Sequence, residues 1–358
     1  MKTHHRGRPV TIFTPSSAAE NNTNAQNLTV KEIVARLSPE LFRVTMLCEH
    51  TPDPRIATRG NTNLVPYTKH GNTIRLLKHC LFPSPDIYFF PRSGPLDRAF
   101  FDLRKYLPIN TALITYIVML MNEVTGAGLV SRSVLEADVV CANSKYVSDT
   151  VRERFGVEPI TVYDGVDHRF FFPRRGGRTA LSSIVTVLYA GSFQPRKRVE
   201  LVIEQAARWP TVQFRLAGRG ATEDGCKALA ERLGCQNVFF LGHLDAARLG
   251  EEMRGADVFL FPSILEGHPQ VLVQAAASGL PVVAMNLYRP EYVINGLSGF
   301  LVESDTELGP RLASLLGNPT LRQSMATAAV QHSQAFDWDH IARHWAGIFQ
   351  EVAARREA

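Results

Sequence analysis

No stretch of this chain approaches the roughly 18 consecutive apolar residues that a membrane-spanning helix requires. The segment from Met1 to Arg6 lacks the apolar core of a secretory signal peptide. The five cysteines are scattered, without the paired C-x2-C spacing of a structural zinc site. These absences predict a protein that stays in the cytoplasm, in a reducing compartment, and that holds no structural zinc.

The composition is that of a globular protein. Apolar residues make up 45% of the 358 residues and charged residues 20%, with no low-complexity tract and no internal repeat. A chain of this length exceeds one ordinary hydrophobic core and suits two α/β domains.

The positive charge is unevenly distributed. Residues 1–175 hold 22 Lys and Arg against 16 Asp and Glu, a balance of +6, whereas the remainder balances at −1. Such a bias favours an anionic partner, including the inner face of a membrane, and a solvated basic surface is the other interpretation. Nucleic acid is not expected as a partner.

Both halves alternate predicted strands and helices, which is typical of parallel sheets covered by helices. In the first half the predicted strands are Val10 to Phe13, Arg43 to Leu47, Asp86 to Phe90, Thr111 to Tyr116 and Ala137 to Ala142. In the second half they are Ile184 to Ala190, Val212 to Ala217, Val238 to Leu241, Val258 to Phe261 and Pro281 to Ala284. A breaker-rich segment at 168–178 predicts a linker. The sequence thus predicts two Rossmann-like, doubly wound domains at 1–167 and 179–335 that face each other across a cleft.

A cationic loop follows the first predicted strand of the second domain. Gly191 and Ser192 lead into Arg196, Lys197 and Arg198, which precede a predicted helix. Cations are unfavourable at the positive end of a helix dipole, and a bound anion such as a diphosphate would offset them. Ligands of doubly wound sheets bind beyond the carboxyl ends of the strands. The loop is therefore a candidate phosphate site, and a cluster pointing into water is the alternative.

A second candidate loop follows the predicted strand that ends at Phe261. Glu266 lies in this loop, Pro269 suits the first turn of a helix, and Gly279 closes that helix. Gln274 projects from the second helical turn. A carboxylate at this edge could accept hydrogen bonds from sugar hydroxyls, and the helix start could receive a phosphate.

These loops resemble a known family. The segment ILEGHPQVLVQAAASGLPVVA resembles the E-x7-E signature of glycosyltransferase family 4, retaining enzymes of the GT-B fold. YAGSFQPRKRVELVIEQA resembles the family's phosphate-binding segment, and VVCANSKYVSDTVRERFGVEPITVYDGVDHRFFFP resembles its approach to the interdomain linker. FDWDHIARHWAGIFQEV resembles the terminal helix, so the resemblance implies that residues 336–358 cross back to the N-terminal domain.

The resemblance also implies roles for individual residues. Lys197, helped by Arg196, would bind the donor diphosphate and stabilise the leaving group, and Glu266 would hold hydroxyls of the transferred sugar. The other donor-binding positions that it implies are Gly191, Ser192, Gly218, Leu244, Gly267, His268, Pro269, Gln270, Val271, Leu272 and Gln274. Neither a metal nor a cofactor besides the nucleotide sugar is implied, since cationic side chains and amides would stabilise the diphosphate.

Two positions depart from the family pattern. Gln274 stands where the family has a second Glu that binds the nucleotide ribose. An amide lacks the charge that strengthens bonds to two hydroxyls, a deficit of roughly 1 to 3 kcal/mol. Ser192 stands where an Arg usually follows the glycine, and Arg196 or Arg198 is expected to substitute for it.

The N-terminal domain matches the family poorly, so the acceptor cannot be read from it. Asn22 and Asn24, in the polar loop after the first strand, are predicted to contact a sugar acceptor, with ordinary helix capping as the alternative. The pair Asp337 and Asp339 is interpreted as a helix cap and not as a metal site.

Together these features predict a metal-independent, retaining glycosyltransferase. It would move a hexose from a UDP- or GDP-sugar to a hydroxyl of a glycan, a lipid-linked sugar or a small molecule. One alternative is a catalytically weak or inactive GT-B protein that binds a nucleotide sugar or glycan. The other is a GT-B enzyme of a different class, such as an epimerase or a phosphorylase.

Overall fold

The computed structural model describes residues 7–20, 25–67, 73–90, 95–107, 109–119, 133–174 and 184–356. The chain forms two compact units. Met1–Asp164 and Trp338–Ala358 make up the first unit, and Gly165–Asp337 makes up the second. The predicted domain boundaries stood at residues 167 and 335.

The first unit is built on a seven-stranded parallel sheet in the order β3-β2-β1-β4-β5-β6-β7. Its strands are β1 (Val10–Ser17), β2 (Phe42–Cys48), β3 (Thr62–Pro66), β4 (Ile87–Phe89), β5 (Ala112–Ile117), β6 (Val139–Ala142) and β7 (Ile160–Thr161). Its helices are α1 (Ala25–Val34), α2 (Pro54–Ala57), α3 (Thr73–Leu81), α4 (Pro95–Leu103), α5 (Lys145–Phe155) and, from the end of the chain, α12 (Trp338–Arg355).

Helix α12 completes the core of this first unit because its apolar side chains recur every three or four residues. Trp345 is fully buried, with its ring centroid 4.9 Å from that of Phe89 and 5.0 Å from that of Tyr116. Phe349 lies edge-on to Phe89 at 5.0 Å. The last helix is therefore an integral part of the unit that begins the chain.

The second unit has a six-stranded parallel sheet in the order β10-β9-β8-β11-β12-β13. Its strands are β8 (Thr186–Ala190), β9 (Gln213–Ala217), β10 (Val238–Gly242), β11 (Val258–Phe261), β12 (Val282–Met285) and β13 (Gly299–Val302). Its helices are α6 (Val199–Arg208), α7 (Glu223–Arg232), α8 (Ala246–Gly255), α9 (Gln270–Ala277), α10 (Asp305–Gly317) and α11 (Pro319–Ser333).

Three strands escaped prediction, and all three lie at sheet edges. β3 and β7 flank the first sheet, and β13 flanks the second. β3 (TNLVP) carries polar residues and β7 has only two residues, so neither offers the apolar run that identifies a central strand, whereas β13 (GFLV) is apolar but only four residues long. The central strands, buried on both faces, lie within a few residues of their predicted positions.

None of the helices in the described ranges combines the length and the apolar character that crossing a bilayer requires. All five cysteines are free thiols.

Candidate functional site

The sheet of the second unit has a topological switch point between β8 and β11. β8 and β11 are neighbours at the centre of the sheet. From β8 the chain continues outward to β9 on one side, and from β11 it continues outward to β12 on the other side. The loops after β8 and β11 therefore diverge and leave a crevice beyond the carboxyl ends of these strands, where doubly wound sheets bind their ligands.

The loop after β8 brings its cations to this crevice through a tight turn. Residues Pro195–Lys197 form one turn of 3-10 helix, and Arg198 adopts a left-handed conformation with φ of 49° before α6 begins. No side chain caps the start of α6. The short turn places Arg196 and Lys197 on the side of the loop that follows β11.

Glu266, from the loop after β11, is the centre of the resulting cluster. Its Oε1 atom lies 2.5 Å from Lys197 Nζ and accepts a hydrogen bond from Arg196 Nη1 at 2.8 Å. Ser263 Oγ donates to the same oxygen at 2.5 Å. Arg196 Nη1 also donates to the carbonyl of Leu265 at 2.7 Å, which fixes the guanidinium against the second loop.

The cluster is almost completely buried. Lys197 and Glu266 are each only 7% exposed, and Lys197 Nζ lies 4.8 Å from the centroid of the Phe261 ring. Burial lowers the pKa of Lys197, as does the neighbouring charge of Arg196, although the Glu266 carboxylate opposes both effects. Two cations facing one carboxylate leave a net positive charge, so the cluster is suited to an additional anion.

Arg198 does not share in this cluster. Its guanidinium pairs with both oxygens of Asp305, at 2.6 and 2.8 Å, and donates to the carbonyl of Pro262. Of the two predicted substitutes for the missing Arg at Ser192, only Arg196 therefore lies in the cluster. Protein carboxylates, Glu266 and Asp305, offset the three cations that the sequence assigned to a bound anion.

The glycines of the neighbouring loops have a packing role. Gly218 follows β9 with φ of +140°, and a Cβ built there would come within 1.9 Å of the Gly191 carbonyl oxygen. The Gly218 amide donates to the carbonyl of Gly242 at 2.7 Å, and the Gly191 amide donates to that of Ala217. The loops after β8, β9 and β10 thus contact one another backbone to backbone. Leu244, half-buried, follows the last of them.

Helix α9 begins next to the cluster without a capping side chain. Pro269 is its N-cap residue, and Gln270 and Val271 open the helix, half-buried. The amides at the start of a helix lie at the positive end of its dipole, which suits an anion. One turn later, the side-chain oxygen of Gln274 is buried without a hydrogen-bond partner among the described residues.

Two predicted donor-binding residues are occupied elsewhere. The Leu272 side chain is fully buried, and its amide donates to the Pro269 carbonyl at 3.0 Å, so neither group is offered to a donor. The His268 ring stacks on Tyr292 at 3.5 Å and lies edge-on to Phe336, with Nε2 at 3.5 Å from Glu291 Oε2. The buried imidazole therefore packs in an aromatic cluster.

The remaining predicted residues fall in three places. Gly191 and Ser192 are half-buried directly after β8, and the Ser192 carbonyl accepts from Tyr189 Oη at 3.2 Å. Gly267 is buried in the loop after β11. Asn22 and Asn24 lie outside the described residues.

Sequence reasoning missed Ser263 and Tyr288. Tyr288, in the loop after β12, is 1% exposed, and its hydroxyl has no hydrogen-bond partner among the described residues. Burial and the nearby charge of Glu266 raise the pKa of its phenol. Both residues follow central strands directly, and this position in the sequence is the signal that could have identified them.

Among the described residues, no group of three or more His, Cys, Asp and Glu side chains could hold a metal ion. The pair Asp337 and Asp339 is divided between other partners. Asp337 lies 3.7 Å from His168, and Asp339 accepts from Arg36 at 2.6 Å.

Most of the second unit matches a known protein family. Residues 183–332 match the family described as glycosyl transferases group 1. The chain is 34% identical over 229 residues to the D-inositol 3-phosphate glycosyltransferase of Mycobacterium tuberculosis strain H37Rv. That match covers 57% of this chain and 47% of the relative, so the chain spans about half the length of the curated relatives it matches.

Two solved structures match nearly the whole chain. Sucrose-phosphate synthase of Thermosynechococcus elongatus superposes with a TM-score of 0.76 at 18% identity, covering 97% of this chain and all of that one. HepE of Anabaena, solved with UDP and glucose, superposes with a TM-score of 0.76 at 17% identity, covering 95% and 99%. Likeness at this identity establishes the fold, which is of the GT-B type.

Proposed function

We propose that this protein is a retaining glycosyltransferase that transfers a hexose from a UDP- or GDP-sugar to an acceptor hydroxyl without a metal. The observation that carries the proposal is the buried cluster in which Lys197 and Arg196 converge on Glu266 at the switch point. The group 1 family match and the UDP and glucose bound by HepE favour the same class of donor.

The net positive charge of the cluster is suited to the diphosphate of the donor. Lys197 and Arg196 would contact the phosphates, together with the amides at the start of α9. Because the site is buried, these charges act in a low effective dielectric and stabilise the negative charge that develops on the leaving diphosphate. Glu266 would accept hydrogen bonds from hydroxyls of the sugar.

Retention would follow if acceptor and leaving group occupy the same face of the sugar. The bond between the anomeric carbon and the phosphate oxygen breaks, and the acceptor oxygen bonds to that carbon. The acceptor proton passes to the departing diphosphate, so no protein base is required. The cations at the diphosphate then supply the principal stabilisation of the transition state.

Gln274 would contact the nucleotide ribose through its buried, unpartnered oxygen. A neutral amide binds two hydroxyls more weakly than a carboxylate does. We therefore propose that the nucleotide is bound through its diphosphate more than through its ribose.

The acceptor is proposed to be a sugar, a lipid-linked glycan or a small molecule, bound by the first unit. We further propose a cytoplasmic location, with peripheral membrane contact through the basic N-terminal half.

The test is a calorimetric binding screen of UDP, GDP, ADP and their common sugar conjugates against the wild-type protein. Lys197→Ala should weaken the binding of free nucleotide and sugar conjugate alike, since it removes a phosphate contact. Glu266→Ala should weaken the sugar conjugate relative to the free nucleotide, since it removes the sugar contact. Glu351→Ala, in a solvent-exposed pair with Arg355 on α12, is the control and should change neither.

Hydrolysis or transfer of the sugar from the conjugate that binds would then be measured. Binding without turnover would favour the inactive, sugar-binding alternative, and Gln274→Glu would show whether the missing carboxylate is the cause. A ligand present at about 100 times its dissociation constant stabilises the protein by about 2.7 kcal/mol. If no nucleotide binds at about 100 times a micromolar dissociation constant, the donor proposal is wrong.

A further inference from the structure

We propose that Ser263 is the positioning residue for Glu266, fixing the carboxylate so that Oε1 faces the protein and Oε2 faces the bound sugar. The inference rests on the proposed function, in which Glu266 contacts the sugar of the donor. It assigns a role to a serine that touches neither substrate.

Ser263 is fully buried two residues after β11, so its hydroxyl has a fixed environment. Its Oγ lies 2.5 Å from Glu266 Oε1 and 3.3 Å from the Arg196 carbonyl oxygen. A hydroxyl has one proton to donate. The Arg196 carbonyl already accepts from the Ile264 amide at 3.0 Å, so the nearer, charged carboxylate receives the Ser263 proton.

All donors within reach of Glu266 converge on a single oxygen. Lys197 Nζ, Arg196 Nη1 and Ser263 Oγ each contact Oε1. Among the described residues, none donates a hydrogen bond to Oε2. Since a carboxylate oxygen has about two lone-pair sites, Oε1 is saturated and Oε2 keeps its full capacity for ligand hydroxyls.

The serine is needed because the two cations have competing partners. A diphosphate would attract Lys197 and Arg196, whereas a neutral hydroxyl is attracted far less by the phosphate charge. With the donor bound, Ser263 is the contact that continues to hold Oε1. Without Ser263, Lys197 and Arg196 would each pair best with a different oxygen of Glu266. One of them would then contact Oε2, and Oε2 would no longer be available to the sugar.

The first test needs no ligand. Crystal structures of Ser263→Ala and of the control Ser333→Ala would be compared with that of the wild-type protein. Ser333 is a matched control because it is equally buried in the same unit and donates one hydrogen bond, to the Val330 carbonyl at 2.8 Å. We expect Lys197 or Arg196 to lie within hydrogen-bond distance of Glu266 Oε2 only in the Ser263→Ala variant. An unchanged Glu266 carboxylate in that variant overturns the inference.

The second test distinguishes a loss of sugar binding from a loss of nucleotide binding. Calorimetry with UDP and UDP-glucose should show about tenfold weaker binding of UDP-glucose by Ser263→Ala, as for the loss of a bond to a charged group, with UDP affected less than twofold. In a Glu266→Gln background, Ser263→Ala should have no further effect. Equal losses for UDP and UDP-glucose would show a general structural defect and overturn the positioning role. If the wild-type protein binds neither compound, UDP-glucose is not its donor, while the crystal structures still decide the role of Ser263.

Discussion

Replacing Glu266 by Gln should destabilise the second unit more than any other single change in the cluster. The substitution keeps the size of the side chain but removes the carboxylate that, among the described residues, alone pairs with Lys197 and Arg196. Lys197 is then a buried cation without a counter-charge, next to a second cation. Its pKa, already lowered by burial, should fall further.

The magnitude follows from burial. Removing one partner of a buried ion pair costs about 3 to 5 kcal/mol. The Arg196 side chain is 24% exposed and can be solvated by water, so the lower end, about 3 kcal/mol, is expected for Glu266→Gln. Lys197→Met should cost less, about 1 to 2 kcal/mol, because Glu266 retains Arg196 and Ser263 and the methionine still packs on Phe261.

The assay is urea unfolding of the two single variants and of the double variant Lys197→Met with Glu266→Gln. Because the two residues are in contact, the double variant should lose less than the sum by about 1 kcal/mol or more. Glu351→Gln, in the exposed pair with Arg355 at 2.5 Å, is the matched control and should leave the urea midpoint nearly unchanged.

Two results would refute this reasoning. Strictly additive losses would mean that Lys197 and Glu266 do not stabilise each other in solution. A Glu266→Gln variant as stable as wild type would mean that the cations are already solvated and that the site is not closed to water.

The other predictions concern backbone packing, pH and ribose binding. Gly218→Ala should destabilise the protein by about 3 kcal/mol or more, because the added Cβ meets a backbone oxygen at a positive φ. Gly225→Ala, in open space within a helix, should stabilise the protein by about 0.5 to 1 kcal/mol. The urea midpoints of the two variants test both expectations. Burial lowers the pKa of His268 well below its ordinary value, so below about pH 6.5 the unfolded chain binds a proton that the folded chain does not. The free energy of unfolding should therefore fall as the pH drops below about 6.5, by up to about 1.4 kcal/mol per pH unit. The Glu291 carboxylate, next to His268 Nε2, opposes this effect. His268→Phe should remove the pH dependence of the melting temperature between pH 7.5 and 5.5. Gln274→Glu should tighten UDP binding by about tenfold in calorimetry if its side chain contacts the ribose, and an unchanged affinity would place the ribose elsewhere.

Much of the candidate site could be predicted because its residues occupy characteristic positions along the chain. Arg196 and Lys197 follow one apolar strand, and Glu266 follows another. Apolar runs identify strands that are buried on both faces, and parallel strands bring their following loops to one sheet edge. The order of residues was therefore sufficient to expect these three side chains near a common crevice.

Contacts with residues distant in sequence could not be predicted. His268 adjoins the signature residues but is turned into an aromatic stack with Tyr292 and Phe336, which lie 24 and 68 positions further along the chain (292 − 268 and 336 − 268). Arg198 is one residue from Lys197, yet its left-handed backbone directs it to Asp305. Contacts between residues so distant in sequence leave no local pattern.

By itself, the sequence determined the alternation of buried strands and helices and the placement of charged residues after particular strands, because hydrophobic periodicity and breaker residues act locally. The tertiary structure alone decided that Lys197, Arg196 and Ser263 share one oxygen of Glu266, leaving the other for a ligand. That choice depends on how closely the loops after β8 and β11 approach each other, and the pairing of β8 with β11 brings these loops together.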